Sequence, residues 1–198
     1  MRRLLVVVNL LLLLAIFFVA LYWQPEPGPS PGSTAAAPQG GDFSLMGTQG
    51  PLSLRDFRGK LVLLYFGYTY CPDICPTSLV VWANALNALA PHERAQVQPI
   101  FVSVDPERDS LARLAEYTAF FHPTILGATG TLDQLREVSR RYGAVFARQE
   151  NISAGGYVVD HTAATYLIAP DGRLVESLAH ATPPEQLVSA IRRHFSSQ

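Results

Sequence analysis

The chain has 198 residues, with 15 Lys and Arg against 16 Asp and Glu and a formal net charge of −1. Charges so mixed and so nearly balanced give no basic face for nucleic acid, and no nucleic-acid partner is expected. Cysteine occurs only twice, at Cys71 and Cys75.

The chain opens Met1-Arg2-Arg3 and runs apolar from Leu4 to Trp23, interrupted by Asn9. A run of about 20 residues is just long enough for a helix to cross a bilayer. Arg2 and Arg3 precede it and the flank 24–33 carries no basic residue, so the positive-inside rule leaves the N-terminus in the cytoplasm. Residues 1–23 therefore read as one transmembrane helix anchoring the chain in a membrane. A cleaved signal peptide is the alternative, although its apolar region would be unusually long and no small-x-small site follows. From Gln24 to Gly41 the sequence is mostly Pro, Gly, Ser and Ala with Glu26 as its single charge, and 24–41 reads as a flexible linker. Residues 42–198 are long enough for one full core.

Phe43-Ser44-Leu45 and Leu52-Ser53-Leu54 alternate around Gly47–Pro51 and predict a short hairpin. Leu61–Phe66 is continuously apolar, as a central strand covered on both faces requires. Pro76 suits the first position of a helix over Thr77–Leu89, with Leu79, Trp82, Leu86 and Leu89 on one stripe. Val97–Val104 reads as a second buried strand. A helix follows from Ser110 to about Phe121 with Asp109 as its N-cap, and another spans Leu132–Tyr142. The stretch 147–159 reads as irregular. Asp171-Gly172 turns a hairpin between Thr165–Ala169 and Leu174–Leu178, and Pro183-Pro184 starts a closing helix to about Phe195. That order fits a sheet flanked by helices on both sides.

The two cysteines, three residues apart, fall at a strand–loop–helix junction. There the free amides and the helix dipole favour thiolate, the form that binds soft metals and attacks disulfides. Asp73 and the prolines at 72 and 76 shape the loop that presents them. Tyr65, Phe66 and Tyr68 read as core and rim packing, Asp105 as a turn residue and Arg108 as a solvated one. His92, His122, His180 and His194 read as surface histidines.

The block Tyr65-Phe66-Gly67-Tyr68-Thr69-Tyr70-Cys71-Pro72-Asp73-Ile74-Cys75-Pro76-Thr77 resembles the signature of the Sco (SenC) family of copper-binding, thioredoxin-like proteins. Ser103-Val104-Asp105-Pro106-Glu107-Arg108-Asp109 and Val159-Asp160-His161-Thr162 resemble two further blocks of that family, in the expected order. Tyr70 departs from the pattern, which commonly has histidine there. The resemblance implies an α/β thioredoxin-like fold, a central mixed sheet flanked by helices, with the N-terminal β-hairpin as an extension. It further implies copper delivery to the binuclear copper centre of cytochrome c oxidase subunit II. Other copper chaperones and a thiol reductant are expected as further partners. The leader looks like that of a bacterial member, a single-pass protein of the inner membrane with its folded domain in the periplasm.

Under this resemblance the metal ligands are Cys71, Cys75 and His161. Two thiolates suit Cu(I), and an added imidazole lets the site also take Cu(II). Asp160 is expected beside His161 to orient its ring, and Asp73 beside the sulfurs. The alternative function is a thiol–disulfide oxidoreductase, with Cys71 and Cys75 as its redox pair, reducing the partner's cysteines before metal loading. Thioredoxin-type enzymes have two residues between their cysteines; here there are three.

Overall fold

The computed structural model describes residues 2–22, 38–150 and 156–195. The chain divides into two compact units, Met1–Ala35 and Ala36–Gln198. The first contains α1 (Arg2–Tyr22). Among the described residues, however, no helix is long and apolar enough to cross a membrane, which overturns the expected transmembrane helix. Most of the linker expected over 24–41 lies outside the described residues.

The second unit begins with the hairpin β1 (Ser44–Gly47) and β2 (Gly50–Ser53), then a 3-10 turn over Leu54–Phe57 capped by Ser53. There follow β3 (Leu61–Gly67), α2 (Ile74–Ala88), the short α3 (Pro91–Arg94) and β4 (Val97–Ser103). Next come α4 (Leu111–Phe121), β5 (Leu126–Thr129) and α5 (Leu132–Arg141). The chain ends with β6 (Phe146–Gln149), β7 (Val158–His161), β8 (Ala164–Ile168), β9 (Leu174–Ala179) and α6 (Pro184–Phe195).

Seven strands form one mixed sheet in the order β2-β1-β5-β4-β3-β8-β9, while β6 and β7 pair as a separate ribbon. Strand β3 lies parallel to β4 and antiparallel to β8, and every one of its residues is buried. Its unbroken apolar run is explained by what covers its two faces. On one, Tyr65 meets Trp82 of α2 edge-on and stacks on Phe101, which in turn meets Tyr117 of α4. On the other, Phe66 meets Tyr142, just beyond α5, and Tyr166 of β8. Leu79, Trp82 and Leu86 of the expected stripe are wholly buried, the fourth member, Leu89, is the buried C-cap of α2, and Trp82 Nε1 donates to Thr165 Oγ1 at 2.9 Å.

Four details differ from the sequence reading. Helix α2 starts at Ile74, so Pro76 is its third residue; proline fits anywhere in a first turn, where the amides have no helical acceptor. Ser110 rather than Asp109 caps α4, accepting from Arg113 N. Part of the stretch 147–159 is strand, in the β6–β7 ribbon. Strand β5 and the one-turn α3 were not anticipated, being only four residues each.

Candidate metal centre

Strand β3 ends at Gly67, and the chain then loops across the start of α2. A turn holds Cys71 in this loop, its amide donating to the Tyr68 carbonyl at 3.3 Å. Asp73 is the N-cap of α2, but its side chain makes no capping hydrogen bond. The amides of the first turn therefore need other acceptors. Cys75 N–H takes Cys71 Sγ, at 3.4 Å. The helix start thus draws both sulfurs together.

The third member arrives from the ribbon. His161 ends β7, and its Nε2 stands 3.2 Å from Cys75 Sγ. Its Nδ1 faces the Thr162 carbonyl at 3.4 Å. Tyr65 and Tyr68 box the imidazole edge-on, at 5.9 and 5.8 Å between ring centroids. The two sulfurs and one imidazole nitrogen all lie within 4.8 Å of one another, a cluster able to hold a metal ion. Cys75 is fully buried, Cys71 is 8% exposed and His161 is half-buried, so the site is reached from the Cys71–His161 side.

The two thiols are electrostatically unlike. The hydrogen bond from Cys75 holds the Cys71 thiol far below the ordinary range against the effect of burial, and His161 and the amides of Asp73 and Cys75 add to this. Burial pushes Cys75 up, and the neighbouring Cys71 pushes the same way. Cys71 is the thiolate of the pair and Cys75 the thiol.

The two expected carboxylates lie elsewhere. Asp73 is exposed; its carbonyl accepts from Thr77 N–H, and its carboxylate lies 3.3 Å from Thr77 Oγ1. Only its amide serves Cys71. Asp160 is exposed, and as the strand neighbour of His161 it points to the opposite face of β7.

Other residues emerge that the sequence reading assigned differently or passed over. Asp109 is 1% exposed and accepts from Thr69 N–H at 2.9 Å, Thr69 Oγ1 at 2.6 Å and Ser103 Oγ at 2.6 Å, bracing the loop before Cys71. Asp105 does open a turn, yet its carboxylate is buried and engages Arg108 and Tyr157. Arg108, expected in solvent, is largely buried. His122, expected at the surface, is buried beside Thr124 Oγ1, whereas His180 is exposed as expected, with Ser78 Oγ 3.2 Å from its Nδ1. The one local signal for the Asp109 brace was its place in the Ser103–Asp109 block.

The sequence profile of the SCO1/SenC family matches residues 31–196. The chain belongs to this family. Among SCO1/SenC relatives, "Protein SCO2 homolog, mitochondrial" of Bos taurus is 40% identical over 186 residues, 91% of this chain and 70% of that protein. Yeast Sco1 with copper bound matches at a TM-score of 0.73 and 37% identity, over 80% of this chain and 89% of that one. Arabidopsis thaliana ScoI with copper bound gives 0.73 and 32% identity, over 80% and 99%. The thioredoxin-like Sco fold, an α/β mixed sheet with helices packed on it, is thereby shown.

Proposed function

We propose that this SCO1/SenC protein is a copper metallochaperone that carries copper on Cys71, Cys75 and His161. Its destination in this reading is the binuclear copper centre of cytochrome c oxidase subunit II. The observation that carries the proposal is the convergence of two sulfurs and one imidazole nitrogen within 4.8 Å. Two thiolates hold Cu(I), and the imidazole extends the site to Cu(II). Structural zinc sites normally take four protein ligands, which this cluster does not supply. The copper-bound yeast and Arabidopsis relatives support the same metal.

Three ligands leave room for a fourth from a partner. A donor from the acceptor protein adds to the ion before His161 or Cys71 leaves, so the ion passes without being free. Other copper proteins load the site, and a thiol reductant keeps the cysteines reduced. The setting is outside the cytoplasm, in a bacterium the periplasmic side, where a close thiol pair otherwise oxidises.

The test is transfer. Copper-loaded protein is mixed with the metal-free soluble domain of an oxidase subunit II, and the visible bands of the binuclear centre are followed. Their appearance at the rate of copper loss from this protein supports delivery; copper that stays bound overturns it.

The unlike thiols favour a second reading, a thiol reductase. Cys71 thiolate attacks a partner disulfide, forming a mixed disulfide and releasing one partner thiolate. Cys75 then loses its proton and displaces the second, leaving a Cys71–Cys75 disulfide and a reduced partner. Turnover that needs both cysteines but not His161 identifies this activity.

A further inference from the structure

His161 is the only member of the metal cluster that lies outside the β3–α2 junction. The strand carrying it pairs only with β6, in a ribbon apart from the main sheet. A lone two-stranded ribbon is marginally stable. The ladder by itself is thus a weak means of holding Nε2 at 3.2 Å from Cys75 Sγ.

Four residues before His161, Tyr157 is gripped by several contacts at once. Its hydroxyl donates to Asp105 Oδ1 at 2.6 Å, and its carbonyl accepts from Arg108 Nη1 at 2.9 Å. The Arg108 guanidinium lies 3.7 Å from its ring centroid, and that of Arg148 lies 3.6 Å from it. Arg108 is itself fixed by Asp105, Nε to Oδ2 at 2.5 Å.

The same guanidinium reaches the cysteine loop. It stands 4.9 Å from the ring centroid of Tyr70, next to Cys71, and 5.6 Å from that of Tyr68, which packs on His161. Its Nη2 is buried and has no hydrogen-bond partner among the described residues. A planar, weakly hydrated cation tolerates this because stacking on ring faces supplements its hydrogen bonds; an ammonium does not replace it.

We propose that Arg108 is a positioning residue for the metal site. It clamps β7 to the cysteine loop through Tyr157 and so keeps His161 over Cys75. The clamp is a property of the fold, and its effect on copper rests on the copper-carrier reading above.

Arg108→Lys keeps the charge and loses the planar fork; Tyr157→Phe keeps the ring and loses the bond to Asp105. Both are made in the full chain beside wild type and His161→Ala. The expected result for Arg108→Lys is Cu(II) binding weakened by about 10- to 100-fold. Its sulfur-to-Cu(II) band weakens towards the loss seen in His161→Ala, with Cu(I) binding little changed. Tyr157→Phe shows a smaller change in the same direction. Wild-type Cu(II) affinity and band in both variants overturn the clamp.

Amide exchange over 158–162 in the metal-free protein reads the clamp without copper. Faster exchange there in both variants, at an unchanged melting temperature, supports it, and unchanged exchange overturns it. A wild-type chain that takes up no copper, with exchange still accelerated in the variants, sinks the copper reading and leaves the clamp standing.

Discussion

Gly67 and Cys75 approach each other more closely than any side chain at position 67 allows. A β-carbon on Gly67 would stand 2.7 Å from Cys75 Sγ, with Phe101 at 2.9 Å and Tyr65 at 3.0 Å on either side. All three neighbours are buried to within 1% of completely, so none has free space to retreat into. Gly67→Ala is expected to push the sulfur out of line and to destabilise the fold by about 1–3 kcal/mol. Copper uptake should fall more steeply than stability. A thermal melt and a copper titration on the same sample test this; full uptake in a stable variant would show that the sulfur has room to move.

Cys71 should be far more reactive than Cys75. Its thiolate is held by the Cys75 amide and thiol, whereas Cys75 is buried and protonated. Between about pH 8 and about pH 6 an ordinary thiol slows roughly a hundredfold towards alkylation. Cys71 is expected to stay nearly level across that range, because its folded pKa lies below it. Timed iodoacetamide labelling with peptide mapping measures both sites, and an ordinary pH slope at Cys71 would refute the assignment.

Asp109 is expected to matter through three hydrogen bonds. Removing its carboxylate strands Thr69 N–H and two hydroxyls in a buried place. Asp109→Ala should cost about 3 kcal/mol in urea unfolding. Asp109→Asn, which keeps the acceptor oxygen, should cost less. Equal losses would mean that charge rather than hydrogen bonding holds the loop.

One acid-sensitive contact lies far from the site. Arg192 hydrogen-bonds Glu93 at 2.8 Å and, with the Ala90 amide, lowers its pKa from 4.5 to about 2. A carboxylate with a depressed folded pKa stabilises fully above its ordinary value and loses that contribution as pH falls towards the folded one. The contribution of Glu93 is therefore lost between about pH 4.5 and about pH 2. Glu93→Gln should flatten stability against pH in that window and leave the neutral region nearly unchanged, as chemical denaturation at stepped pH will show.

The elements around the site were legible where local pattern decides. The unbroken run of β3, the stripe of α2 and the Asp171-Gly172 turn each announce themselves within a few residues. Cys71 and Cys75 were legible from spacing, and His161 from its resemblance to a family block. What could not be read was contact across long separations. Asp109 sits where a cap is chemically reasonable, and Ser110 beside it caps equally well. Only the fold, by bringing Thr69 and Ser103 to Asp109, assigns the two roles. Arg108 meets Tyr157 49 positions further along, so no local signal takes it out of solvent. Asp160 adjoins His161 in sequence, but strand neighbours point to opposite faces, and its exposure could not be read from adjacency. The N-terminal apolar run met the length for a membrane helix, but the described structure does not supply one.

The most direct measurement is copper loading of the reduced full chain under anaerobic conditions, compared with His161→Ala and with the double variant Cys71→Ser/Cys75→Ser. About one copper per chain is expected, with a sulfur-to-Cu(II) charge-transfer band that is lost in both variants. Equal uptake by all three proteins, or a wild-type chain that holds no copper and cycles only between dithiol and disulfide, would contradict the copper-carrier assignment.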